Sequence, residues 1–315
     1  MIDLSAIGAP PGLDAACFQG RTFEALSATL AKAAAAGAPC LIWGENGVGK
    51  NFYAWLYHRL GPRRDGPYEE ISCAALPETL LETELFGYAR GAYTGAEKDH
   101  PGRLVLADGG TLVLDELDSL APASQAKLLR VVETGEFTPL GSDRKARVDA
   151  RFIGLLQAPP EALVTDSRLR RDLFYRMSLF TLEVPPLRRR RDEIPTLVET
   201  FARREAAAYR VEPVRVSPEA LEGLAELPFP GNLRELRNLV RRWTLLQPGE
   251  VVTPRDLPSA GAGPAETAIQ SLAEVESGHI RRVLAAVGGR MSEAARLLGI
   301  HRKTLLEKRK RYKLD

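Results

Sequence analysis

The chain has 315 residues, 44% hydrophobic and 27% charged, a composition of globular character and a length that suits two or three domains with ample core. The longest apolar stretch, about residues 33–43, is broken by Gly37 and Pro39 and is too short to span a bilayer, and the N-terminus lacks a basic-then-apolar signal pattern. Three widely spaced cysteines (Cys17, Cys40, Cys73) and four histidines without ligand spacing argue against a disulfide framework or a structural metal, so reduced thiols in a cytoplasmic protein with no membrane partner are expected. The net charge of +2 hides an asymmetry: residues 301–315 hold seven Lys/Arg against Glu307 and Asp315 and carry +5, leaving −3 on the first 300. A basic end on a mildly acidic body points to nucleic acid, although basic residues also suit a helix C-terminus.

Taken in chain order, residues 1–19 form a short irregular extension containing Pro10-Pro11-Gly12. A helical, Ala-rich pattern covers about Phe23 to Ala36, and Cys40–Trp43 reads as a short buried strand that runs into a Gly-rich loop. Helix resumes over Phe52–Leu60. Gly110–Leu114 is a second apolar strand, Gln125–Thr134 an amphipathic helix, and Arg151–Leu156 a third strand. Alternating strands and helices predict a doubly wound parallel sheet with ligands at the C-terminal ends of its strands. After Pro185-Pro186 the pattern becomes helical only, over Glu193–Tyr209, Pro218–Glu226 and Asn232–Leu246. The expected organisation is an α/β subdomain at 20–187, a helical subdomain at 188–257, a Pro/Gly/Ala linker at 258–266 and a second all-α unit at 267–315.

The Gly-rich loop, Gly44-Glu45-Asn46-Gly47-Val48-Gly49-Lys50-Asn51, fits G-x-x-x-x-G-K between a strand and a helix. Its glycines let backbone N–H groups converge on phosphate oxygens, Lys50 reaches the terminal phosphates, and the helix N-terminus adds its dipole. Asn51 stands where magnesium-ligating Ser or Thr is usual. Asp115 and Glu116 follow an apolar strand, where one acid can hold magnesium and its neighbour can orient an attacking water. Between these two phosphate elements lies a small loop, Gly91-Ala92-Tyr93-Thr94-Gly95-Ala96, with one aromatic at its tip.

Together with Glu84-Leu85-Phe86-Gly87, Gly109–Glu116, Gly135-Glu136-Phe137, Leu169–Arg176, Pro186-Leu187-Arg188 and Pro230-Gly231-Asn232-Leu233-Arg234-Glu235-Leu236, these blocks resemble the AAA+ ATPase core of the NtrC family, the bacterial enhancer-binding activators of sigma-54 RNA polymerase. The resemblance covers roughly residues 20–250 and resumes at the C-terminal unit. It implies an AAA+ α/β core with a helical lid, ATP and Mg2+ as ligands, Asp115 on the magnesium, and Arg170 and Arg176 acting in trans on a neighbour's ATP. Such arginines are worth about 10³–10⁵ in rate. It further implies that Arg234 is the lid's sensor arginine and that residues 91–96 touch sigma-54, with Tyr93 where the family usually has Phe. Small Gly-bounded tips move cheaply, and the ring supplies contact area. Assembly is expected to run from dimer to hexamer, or to a mixed ring with a related activator.

Three residues depart from the family. Asn51 replaces an acidic residue. Leu156-Gln157 replaces Thr-Asn at the sensor strand end, leaving Gln157 as the nearest candidate for the nucleotide. Ser72 replaces the Asn thought to hold the catalytic Glu in a switched-off pose. Altered hydrolysis is therefore expected. The run Arg188–Arg191 is expected to be a solvated face.

At the C-terminus, Ser292–Leu305 has helix–turn–helix form: small Ala294 and Ala295, a turn at Gly299, Ile300 and Leu305 facing inward, and Ser292 as a candidate N-cap. It resembles the Fis-type unit of the same family. His301, Arg302, Lys303 and Thr304 would face DNA bases or phosphates, and Lys308, Arg309 and Lys310 would hold phosphates. Only about 20 residues precede the core, too few for a receiver or ligand-sensing domain. Control is accordingly expected from expression, a regulatory protein in trans or a co-assembled subunit. The leading expectation is a DNA-binding ATPase that remodels the sigma-54 polymerase closed complex. The alternative is a DNA-binding scaffold or mixed-ring subunit that binds nucleotide with little turnover.

Overall fold

The computed structural model describes residues 20–93, 95–258, 280, 284, 290–291, 294–295, 300 and 302–312. Thr94, Ser292, Gly299, His301, Cys17, the extension at 1–19 and the linker beyond Pro258 lie outside the described residues. The chain divides into two compact units, Met1–Ala260 and Gly261–Asp315.

The first unit opens with α1 (Arg21–Ala35), β1 (Cys40–Trp43) and α2 (Lys50–Leu60), followed by β2 (Tyr68–Ser72), α3 (Glu78–Phe86) and α4 (Gly102–Leu106). Next come β3 (Thr111–Asp115), a 3-10 turn at Leu117–Ser119, α5 (Pro122–Thr134), a β4–β5 hairpin (Glu136–Phe137, Ala146–Arg147), β6 (Arg151–Leu156), α6 (Pro160–Thr165), α7 (Arg171–Met177) and β7 (Phe180–Glu183). The main sheet has the order β2-β3-β6-β1-β7, and all four pairings are parallel. Its three inner strands are almost wholly buried because helices cover both faces.

The edge strands β2 and β7 have no counterpart in the sequence reading. Their sequences, YEEIS and FTLE, mix apolar with charged or polar residues, so neither has the apolar run that marks an inner strand. The register sets Ser72 beside Asp115, and Trp43 beside both Leu156 and Glu183. The C-terminal ends of five strands therefore meet on one edge, where parallel sheets bind ligands.

Helices α8 (Ile194–Tyr209), α9 (Pro218–Ala225) and α10 (Asn232–Leu246) follow two 3-10 turns at 187–193. The region is not helical throughout, because β8 (Arg215–Val216) pairs in parallel with β9 (Val251–Val252). Two-residue strands leave no periodic trace in a sequence. Glu205 of α8 is 2% exposed and is held by Arg237 and Arg241 of α10, each Nε at 2.7 Å, which pins these helices together. Among the described residues no helix is long and apolar enough to cross a membrane. Cys40 and Cys73 are buried free thiols. Burial raises both, Cys73 to about 12, so both stay protonated and inert.

In the second unit, Ile280, Ala294, Ala295 and Leu305 form a small buried cluster with Ile300, Met291, Leu284 and Tyr312 packed against it. Helix α11 spans Arg302–Arg311.

Candidate nucleotide site

The loop from Gly44 to Gly49 joins β1 to α2 and depends on backbone that only glycine adopts easily. Gly44, Gly47 and Gly49 all have positive φ, and a Cβ at Gly47 would lie 2.4 Å from the Gly231 carbonyl oxygen. The loop is thus pressed against the lid. Leu233 N–H donates to the Gly47 carbonyl at 3.0 Å, and the Asn232 amide donates to the Asn46 carbonyl at 3.0 Å and to Glu45 at 3.2 Å. The Asn232 side-chain Oδ1 accepts from Leu187 N–H at 2.8 Å, which closes a tie between loop, interdomain turn and lid. Asn232 is fully buried at φ +50°, a conformation that Asn tolerates better than most residues. Arg234 sits two residues on, its Cβ against the position a Gly47 Cβ would take.

Lys50 lies at the start of α2 and is 7% exposed. Its ammonium donates to the Gly44 carbonyl at 2.8 Å and the Glu45 carbonyl at 3.2 Å. Burial pulls its pKa down, and Asp115 and Glu116 pull it back up. This is a cation held in place by the loop's own carbonyls.

Asn51 faces acids. Its amide donates to Glu70 of β2 and also serves Asp115. Burial pushes both carboxyls above their ordinary range; Asp115 raises Glu70 further, and Glu116 raises Asp115. A cation arriving here would relieve that cost. Glu70 escaped the sequence reading because a polar edge strand gives no hint of which acid turns inward; the neighbouring Ser72 was singled out only by family position.

Glu116 holds φ +55°, ψ +46° at the strand end, a sparsely populated conformation for glutamate. Its carboxylate accepts from the Gln157 amide at 2.6 Å, whereas the Ser72 hydroxyl lies 3.5 Å away. Gln157 thus turns to Glu116 in this structure. Leu156, the residue before it, is fully buried in the sheet core.

Arg170 caps α7, pairs with Asp172 at 2.7 Å on the surface, and borders an open recess shared with Arg171 and Tyr175. Arg176 is exposed in the last turn of α7. The run Arg188–Arg191 is no simple solvated face. Arg190 is 1% exposed and donates to the Val48 carbonyl at 2.8 Å, and Arg188 pairs with Glu45 at 2.5 Å. Four consecutive arginines look solvent-bound in sequence, but the 3-10 turns there send one of them inward beneath the phosphate loop.

The loop at 91–96 rises from a small ladder in which Tyr88 bridges His100 and Leu140. Gly91 N–H donates to the Ala96 carbonyl at 2.9 Å, closing the tip. Gly91 and Gly95 have positive φ and open space around them, Ala92 packs on Gly141, and Ala96 is buried. The Tyr93 ring is 47% exposed and packs edge-on against Tyr88 at 5.1 Å. In the second unit Arg302 is exposed, while Thr304, Lys308 and Arg309 are partly buried along α11; Lys303 and Lys310 also fall within this helix.

Three family descriptions match in succession: the Sigma-54 interaction domain over residues 17–183, the AAA+ ATPase lid domain over 188–272, and the Bacterial regulatory protein, Fis family, over 271–312. The transcriptional regulatory protein ZraR of Salmonella typhimurium is 42% identical over 284 residues, covering 89% of this chain and 64% of its own length. The C4-dicarboxylate transport transcriptional regulatory protein DctD of Rhizobium meliloti is 37% identical over 297 residues, 94% of this chain and 64% of that protein. This chain therefore spans somewhat under two thirds of the length of either relative. Among solved structures, NtrX of Brucella abortus in complex with ATP aligns with a TM-score of 0.76 at 30% identity, covering 98% of this chain and 71% of its own. It is also known in complex with ADP.

Proposed function

This chain belongs to the NtrC-type family of sigma-54-dependent regulators, with AAA+ core, lid and Fis-type unit, and from that premise we propose that it uses ATP to remodel the sigma-54 polymerase closed complex from enhancer DNA. The observation that carries this reading is the pairing of an open loop tip at Tyr93 with a fully built phosphate loop in the same subdomain.

The glycines of 44–49 and Lys50 hold the phosphates, and Arg234 approaches from the lid. Glu116 orients the attacking water. Arg170 and Arg176 reach the ATP of a neighbouring subunit, which makes turnover depend on assembly. Magnesium would supply charge neutralisation on the phosphates. Among the described residues no group of three His, Cys, Asp or Glu is placed to hold a metal, and Asp115 is the residue that would hold the ion at the nucleotide. His301, Arg302, Lys303, Thr304, Lys308, Arg309 and Lys310 supply the DNA contacts, with DNA sites near-palindromic if the unit pairs. Residues 91–96, Thr94 included, touch sigma-54.

A second reading has its own support. The Gln157 amide is engaged by Glu116 rather than free for nucleotide, and Leu156 is buried. Both favour a subunit that binds ATP and turns it over slowly, within a homomeric or mixed ring. The decisive experiment is sigma-54 binding in the presence of ADP with aluminium fluoride. Capture by the wild type and its loss in Tyr93→Ala support the activator. Equal capture by both proteins would sink the role given to the loop. Turnover measured against protein concentration separates the two readings, since only the first gives a steep rise.

A further inference from the structure

The arginine segment is stitched to the acidic strand end of its own subunit. Gln125 of α5 is 1% exposed, and its amide nitrogen and oxygen are both hydrogen-bonded. Its amide donates to the Leu120 carbonyl at 2.9 Å and to the Arg168 carbonyl at 2.8 Å, and its oxygen accepts from Arg170 N–H at 2.8 Å. A buried amide is costly unless satisfied, and here the partners are backbone groups of two separate segments. The second tie is an ion pair from Arg168 to Asp118, whose side chain is 1% exposed. The other Asp118 oxygen finds no hydrogen-bond partner among the described residues.

The Leu120 end leads straight to the chemistry. Ser119 N–H donates to the Glu116 carbonyl at 2.8 Å and Leu120 N–H to the Leu117 carbonyl at 3.1 Å, so residues 116–120 are one short turn. At the other end Ser167 has φ +59°, and both Arg168 and Leu169 N–H groups donate to the Leu163 carbonyl. A conformation that strained persists where its surroundings over-determine it. The Arg170 backbone is fixed while its side chain projects from the surface.

We propose that Gln125 and the Asp118–Arg168 pair are positioning residues that couple each subunit's own nucleotide site to the pose of the arginine it offers its neighbour. Nucleotide that shifts Glu116 moves the turn at 117–120. The two ties then carry that movement to Arg168 and Arg170. This rests on the reading of Arg170 as a trans-acting residue.

The test is hydrogen exchange on the full-length chain, with and without ADP–aluminium fluoride, in an Arg170→Ala background that removes any contact of that side chain with a neighbour's nucleotide. The expected result is that amides of residues 168–170 respond to nucleotide along with those of 44–52. Adding Gln125→Met, which keeps the volume, weakens the response at 168–170 and leaves that at 44–52. Losing the acceptor also speeds exchange of the residue-170 amide about 2- to 12-fold without nucleotide, the range for one hydrogen bond. Asp118→Asn weakens the same response, and Arg168→Lys, which keeps the charge, preserves most of it. If 168–170 ignores nucleotide in Arg170→Ala, or responds equally with Gln125→Met, the coupling is wrong. Failure of the underlying reading has a different signature: Arg170→Ala alone would leave ATP turnover and its dependence on protein concentration unchanged.

Discussion

Lys50→Met separates what the phosphate loop does for the ligand from what it does for the fold. Burial lowers the folded-state pKa of Lys50, against the opposing pull of Asp115, Glu116 and Asp118. A base whose folded pKa lies below its unfolded value costs stability wherever it is charged in both states. That cost is present in full below the folded pKa and fades as pH rises through it toward the unfolded one. Met fills nearly the same volume without charge, so the nucleotide-free protein should melt within about 3 °C of wild type, or slightly higher. With ADP at 100 times its Kd, wild type gains about 2.7 kcal/mol. For a unit of this size that is about 5–11 °C in Tm. The variant should lose nearly all of this shift. Differential scanning fluorimetry with and without ADP reads both quantities. A nucleotide-free Tm depressed by more than about 5 °C, or a retained ADP shift, would refute the view that Lys50 is held at a cost for phosphate.

Glu205→Ala leaves the partly exposed Arg237 and Arg241 without their carboxylate and should destabilise the first unit by about 1.5–3 kcal/mol in urea titration. Burial tends to raise the Glu205 pKa, but the two arginines together hold it below the ordinary value. The stability it contributes is therefore present above the unfolded carboxylate pKa and lost as pH falls through the lower folded one, and Glu205→Gln should flatten that acid limb. His58, pushed down to about 4 by burial and then by Arg59 and Arg151, accepts or donates at Thr111 Oγ1 at 2.9 Å. Because its folded pKa lies below the unfolded 6.5, stability should fall as pH drops from 6.5 toward 4, and His58→Gln should remove part of that slope in melts taken across the range.

How far the site was readable differs residue by residue. The glycines of 44–49, Lys50 and Asp115 belong to a contiguous spacing between an apolar strand and a helix, a local pattern with a chemical reason. The inner strands were legible because an unbroken apolar run has few other uses. Strands β2 and β7 were not, since their edge positions permit charge. Glu70 and Asn232 were missed because their roles come from partners 19 and at least 45 residues away. Arg190 was misjudged for the same reason: its neighbours in sequence are surface arginines, but its partner is Val48, 142 residues earlier.

The sequence by itself determined the family, the nucleotide chemistry, the loop at 91–96 and the basic C-terminal helix, because each is written in consecutive residues whose backbone needs or charge are local. Only the tertiary structure decided where side chains with free choice would turn. Gln157 spends its amide on Glu116, Asn51 turns to two acids, and Gln125 binds the acidic turn to the arginine segment. A primary amide has equal capacity to donate and accept in any direction, so its partner is fixed by which strand ends and turns the fold brings within about 3 Å.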